Sequence, residues 1–77
     1  MERARIEEMV MEMITKAPER AGCTVDMDLM DEIGFSSIEV MELIAWAEET
    51  FGIKISSRDL RLVATPEDLV DMIEKKL

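Results

Sequence analysis

The sequence lacks the residue types on which most enzymes and metal sites depend. Its 77 residues include no histidine, no tyrosine and a single cysteine, Cys23. One cysteine forms no disulfide within the chain, and without histidine there is neither a Cys/His metal cluster nor the usual general base near neutral pH. We therefore expect a protein that is not an enzyme and that has no metal site.

Long apolar runs and basic residues are also scarce. No apolar run approaches the ~20 residues that span a bilayer, and the charged start of the chain leads into no signal-peptide hydrophobic segment. With 18 acidic and 9 basic residues, the formal net charge is −9, which repels nucleic-acid phosphates and anionic lipids. These absences predict a cytoplasmic monomer that binds neither nucleic acid nor membranes.

The chain does contain enough apolar material for one small core. Hydrophobic residues make up 48% of it and charged residues 35%, a balance typical of folded domains. A chain this short does not divide into two independent cores. Residues 1–77 are therefore expected to form a single domain.

The acidic charge is concentrated in the middle of the sequence. Residues 21–53 hold eight acidic residues and no lysine or arginine, whereas the segments on either side are nearly neutral. Such a segment is either a solvated face that keeps the protein in solution or a docking surface for a basic partner. The charge pattern alone leaves both interpretations open.

The spacing of apolar residues predicts three main helices and one short one. A stripe at every third or fourth position indicates a first helix over about residues 2–16. Ser56 or Ser57 is suited to cap a single short turn, and Thr65 followed by Pro66 and two acidic residues marks the start of the last helix. Residues 17–35 form a long loop whose apolar side chains are expected to pack onto the helices.

The second main helix is predicted from Ser37 to about Thr50, with Gly52 ending it. Ser36 and Glu39 match a capping box at its start. Ser37 is then a second hydroxyl at the first helical position, where a helix N-terminus favours an anionic group such as a phosphodiester. The residues expected on the buried face are Val40, Met41, Leu43, Ile44, Ala47 and Phe51. Those expected to point outward are Glu42, Trp46 and Glu49. Residues 53–55 are predicted to enter the core as a loop and not as a strand.

The order of these features resembles the acyl carrier protein family. Residues 34–43, which read Gly-Phe-Ser-Ser-Ile-Glu-Val-Met-Glu-Leu, are similar to the family pattern Gly-x-Asp-Ser-Leu leading into an acidic helix. Residues 47–55 resemble the Glu-Glu-x-Phe-Gly end of that helix, and residues 64–70 resemble the start of the last helix. The resemblance covers nearly the whole chain and implies an all-α, acyl-carrier-like bundle with a long loop between helices one and two.

The resemblance implies a carrier that catalyses nothing itself. It places 4′-phosphopantetheine, transferred from coenzyme A by a phosphopantetheinyl transferase, covalently on Ser37, where acyl groups are carried as thioesters. The pathways implied are fatty acid, polyketide or related lipid biosynthesis, and the partners are acyl-transferring or condensing enzymes with basic docking patches. The matching docking residues in this chain are Ile38, Glu39, Glu42, Ala45 and Glu48.

Two positions depart from the family pattern. Ser36 stands where aspartate is usual, and Ile38 stands where leucine is usual. The extra hydroxyl makes Ser36 a rival attachment site, although the register of the downstream helix favours Ser37. Two other functions stay open at this point: a peptidyl or D-alanyl carrier, and an unmodified acidic interaction module.

Overall fold

A computed structural model describes all residues, 1–77, and contains helices and no strand. Its four α-helices are α1 (Arg3–Ile14), α2 (Ser37–Phe51), α3 (Ser57–Leu60) and α4 (Pro66–Lys76). A single 3-10 turn, Pro18–Arg20, lies in the long connection between α1 and α2. The predicted all-α fold of three main helices and one short helix is therefore confirmed. None of the helices combines the length and the apolar character required to cross a bilayer.

Local side-chain hydrogen bonds set where three of the helices begin. Ser36, Ser56 and Thr65 each accept a hydrogen bond from the amide three residues on, and the acidic residue at that position accepts one from the amide of the cap. These reciprocal pairs are capping boxes. α2 ends at Gly52, whose φ of 66° lies in the left-handed region that favours glycine. Ile53 is buried, as predicted for a loop that enters the core.

One buried core joins α1, α2 and α4 to the long connection. Its most deeply buried side chains are Ile6, Val10, Ile14, Leu29, Leu43, Ala47, Leu69, Val70 and Ile73. The connection contributes Leu29, Ile33 and Phe35, which confirms that its apolar residues pack onto the helices. The Leu29 amide also donates to the Ala64 carbonyl at 2.8 Å, so the connection is tied to the loop that leads into α4.

Two side chains of α2 differ from the prediction. Met41 was expected on the buried face but is 63% exposed, so that prediction is wrong. Trp46 was expected to point outward but is half-buried, and its ring meets the Phe51 ring edge-on with centroids 5.8 Å apart. For Met41 the reason is helix geometry. The buried positions centre on a line through Val40 and Ala47, and Met41 lies about 100° around the helix from Val40.

Asp59 links α3 to the last turn of α4 and makes the fold sensitive to acid. Its carboxylate accepts from Lys76 Nζ at 2.9 Å and from the Ser56 amide at 3.1 Å. Lys76 first, and then the Ser56 amide, lower the pKa of Asp59 from 3.8 to about 2. Because the folded state holds this proton less tightly than the unfolded state, the contribution of Asp59 to stability is present above pH 3.8 and is lost as the pH falls towards 2.

We expect Asp59→Asn to flatten the fall in the urea unfolding midpoint between about pH 5 and pH 2, because the variant has no carboxylate to protonate. The asparagine side chain would keep an oxygen that can accept from the Ser56 amide, so the cap itself is conserved. Asp31→Asn is the control, since the exposed Asp31 carboxylate accepts no hydrogen bond. An acid dependence of Asp59→Asn equal to that of the wild type would contradict this account.

Candidate functional site

The two serines at the start of α2 have different surroundings. Ser36 Oγ accepts from the Glu39 amide at 3.2 Å, and the Ser36 amide donates to Glu39 Oε1 at 3.0 Å, so this residue is committed to the capping box. Ser37 is exposed, and its hydroxyl makes no hydrogen bond to the protein. The free hydroxyl at this helix terminus is therefore that of Ser37.

The conformation of the backbone before α2 places these serines at the surface. Gly34 has a φ of 92°, a left-handed conformation that glycine adopts without steric cost. Phe35 is buried directly after it, and the Phe35 amide donates to the Leu29 carbonyl at 2.8 Å. Because Phe35 is anchored in the core, Ser36 and Ser37 emerge next to it at a defined place on the surface.

The helix terminus itself is suited to a phosphate ester. The amides of Ser37 and Ile38 donate to no protein acceptor, as expected for the first turn of a helix. The aligned peptide dipoles of the 15-residue α2 add partial positive charge at this end. A phosphate on Ser37 Oγ would meet free amide donors and a favourable field while remaining in contact with solvent. The residues present therefore fit the group that the family resemblance implies.

The face of α2 turned away from the core is apolar at its centre and acidic beside it. We call Ile38, Met41, Glu42 and Ala45 the outer face of α2; all four side chains are exposed. Ile38 is 71% exposed and Met41 63% exposed, and their i, i+3 spacing places the two large apolar side chains next to each other on this face. Met41 is not among the docking residues predicted from the sequence, although its spacing with Ile38 and Ala45, at positions i, i+3 and i+7, is the signal that would have revealed it.

Glu39 and Glu48 lie on the two flanks of this face, and each has a partner within the chain. Glu39 Oε2 is 2.9 Å from Arg20 Nη2. The Ser36 amide first, and then Arg20, hold the pKa of Glu39 below its ordinary value. Glu48 Oε2 accepts from the Ile55 amide at 2.8 Å, which fixes the loop after α2. Three of the five predicted docking residues thus share the outer face, and the other two lie beside it.

Comparisons with known proteins find similar sequences over most of this chain. A family model described as the phosphopantetheine attachment site matches residues 4–73, a range that includes both serines. A protein named acyl carrier protein from Thermotoga maritima is 37% identical over 54 residues, which cover 70% of this chain and 67% of that protein. One of the same name from Coprothermobacter proteolyticus is 30% identical over 63 residues, covering 82% of this chain and 77% of the relative. Another, from an Exiguobacterium species, is 39% identical over 54 residues, covering 70% and 68%.

Proposed function

Because the chain belongs to the acyl carrier protein family, we propose that Ser37 is the residue that holds its phosphopantetheine arm. Members of this family bind 4′-phosphopantetheine covalently and are carriers, not enzymes. The observation that carries the choice of Ser37 is its exposed hydroxyl, which makes no hydrogen bond, next to a Ser36 hydroxyl that is occupied in the capping box. When attached, the arm supplies a terminal thiol that holds acyl groups as thioesters.

The surrounding residues prepare Ser37 for this role without taking part in bond formation. Ser36 and Glu39 fix the first turn of α2, so the Ser37 hydroxyl stands at a constant position for a transferase. The free amides of Ser37 and Ile38 are placed to stabilise the negative charge of the phosphodiester once it has formed. The proposal thus assigns a capping role to Ser36 and an acceptor role to Ser37.

We further propose that the carrier serves fatty acid, polyketide or related lipid biosynthesis and that its partners dock on the outer face of α2. The partners are a phosphopantetheinyl transferase and acyl-transferring or condensing enzymes with basic docking patches. Support comes from the exposed Ile38 and Met41, which offer apolar contact, and from Glu42 beside them, which offers charge. Rim charges speed association without locking the complex, which suits a carrier that visits several enzymes in turn.

Intact mass measurement tests the function. The wild-type protein, incubated with coenzyme A, magnesium and a broad-specificity phosphopantetheinyl transferase, should gain the mass of one phosphopantetheinyl group. Loading of the modified protein by acyl transferases, and not by enzymes that activate amino acids, would separate an acyl carrier from a peptidyl or D-alanyl carrier. Failure to gain mass would favour an unmodified acidic interaction module and would overturn the proposal.

Charge reversal on the outer face tests the docking surface. Glu42→Lys should raise the KM of the transferase for this carrier by about tenfold, because a cation would then face the basic patch of the partner. Glu12→Lys is the matched control, because Glu12 is also an exposed glutamate but lies on α1, and its replacement changes the net charge by the same amount. Initial rates at several carrier concentrations give KM for both variants. Equal increases for the two would mean that net charge matters and that the position on α2 does not.

A further inference from the structure

Arg20 is placed to control the acidic surface next to the attachment site. It ends the 3-10 turn in the long connection and is the only basic residue between Lys16 and Lys54. Its side chain is 16% exposed, with the guanidinium carbon 4.1 Å from the centre of the Phe35 ring and Nη2 2.9 Å from Glu39 Oε2. The Arg20 side chain thus contacts both Phe35, which anchors the two serines, and Glu39, the acidic residue of the capping box.

These contacts hold the Arg20 guanidinium in place more firmly than a surface ion pair would be held. The flat guanidinium group stacks on an aromatic ring and donates to a carboxylate at the same time, an arrangement that lysine cannot reproduce. The carboxylate of Glu39 is also fixed from the other side, because its second oxygen accepts from the Ser36 amide. The result is a short chain of contacts from Phe35 through Arg20 and Glu39 to Ser36.

The ion pair changes the charge that a partner meets. Glu39 remains 39% exposed, so a basic side chain of a partner can approach it, but Arg20 already balances its charge. Glu42, one turn along, has no basic side chain within ion-pair distance. A partner that docks on the outer face therefore meets an unpaired Glu42 and, beside it, a Glu39 carboxylate that Arg20 already occupies. A partner that places a basic side chain against Glu39 has to displace Arg20 from that carboxylate.

We propose that Arg20 is a specificity-determining residue for docking, an internal counter-ion that competes with basic partners for the Glu39 carboxylate. This inference rests on the proposed function only in taking the end of α2 near Ser37 as the docking region. It assigns Arg20 no part in the transfer of the arm. It predicts that the chain gains affinity for a basic partner when Arg20 is removed.

The test is equilibrium binding to a broad-specificity phosphopantetheinyl transferase at low ionic strength, with all variants in a Ser37→Ala background so that no modification occurs. Arg20→Gln should tighten binding by about two- to fivefold, the range expected for one freed exposed charge. The gain should shrink with added salt, because exposed charges are screened over ~10 Å at 0.1 M. The double variant Arg20→Gln/Glu39→Gln should return to within about twofold of the parent, since the freed carboxylate is then absent.

Arg5→Gln is the matched control for net charge, because Arg5 also pairs with a glutamate, Glu8, but on the surface of α1. It should leave binding unchanged. A partial loss of folding in Arg20→Gln would weaken binding and so cannot imitate the expected gain. Unchanged or weaker binding of Arg20→Gln, an equal gain in Arg5→Gln, or a gain that persists in the double variant would each overturn the inference. The proposed function fails separately, if Ser37-containing wild-type protein gains no mass while Arg20→Gln still binds more tightly.

Discussion

Replacing Ser37 with alanine should abolish the gain of a phosphopantetheinyl group, whereas Ser36→Ala should leave the final gain intact. In the proposed transfer, the Ser37 hydroxyl oxygen forms a new bond to the phosphorus that carries pantetheine in coenzyme A. The bond from that phosphorus to the remaining adenosine bisphosphate breaks, and the hydroxyl proton is released. Alanine offers no oxygen for the new bond, so the expected loss is complete.

Ser36→Ala removes a cap and not an acceptor. The Glu39 amide loses its hydrogen bond to Ser36 Oγ, which should lower the free energy of unfolding by about 1 kcal/mol. A first turn that frays more often would present Ser37 less regularly, so transfer should be slower but should reach the same end point. Intact mass over time and thermal unfolding of the same samples measure both effects.

The two variants together separate the two hydroxyls. Peptide mapping of the modified wild-type protein gives an independent check, since the added mass should stay with Ser37. A gain that is lost in Ser36→Ala and retained in Ser37→Ala would move the attachment by one residue and would contradict the capping argument. Loss in both variants, with both still folded, would mean that the transferase requires the cap as well as the acceptor.

Leu69→Ala should cause a large loss of stability. Leu69 is fully buried, at 0% exposure, in the α4 face that joins the core. Leucine-to-alanine changes in such positions cost about 2–5 kcal/mol, because apolar contact is lost and a cavity remains. A core this small rarely supplies more than about 3–5 kcal/mol of net stability, so the variant should be partly or wholly unfolded at room temperature.

Leu62→Ala is the matched control, with the same change in chemistry at a side chain that is 69% exposed. It should alter the free energy of unfolding by no more than about 0.5 kcal/mol. Urea denaturation followed by circular dichroism measures both variants. If Leu62→Ala proved as costly as Leu69→Ala, burial in the core would not explain the loss of stability at Leu69.

Features that depend on residues close together in the sequence could be predicted without the structure. The capping box of α2 needs only Ser36 and Glu39, and the start of α4 needs only Thr65, Pro66 and Asp68. Gly52 ends α2 because its backbone adopts a positive φ, a conformation that glycine tolerates whatever its neighbours are. The helix count, the acidic middle segment and the choice of Ser37 over its neighbour follow from such local signals and from the family resemblance.

The sequence by itself therefore determined where α2 and α4 begin, where α2 ends, how the charge is distributed and where the candidate acceptor stands. Only the tertiary structure decided which of the α2 side chains are exposed to solvent and which are paired with other residues. Met41 is exposed because the rest of the core covers a different side of the helix. Glu39 meets Arg20 across 19 positions of sequence, because the long connection folds back onto the start of α2. Pairings between distant residues depend on how the whole chain packs, and no local pattern contains that information.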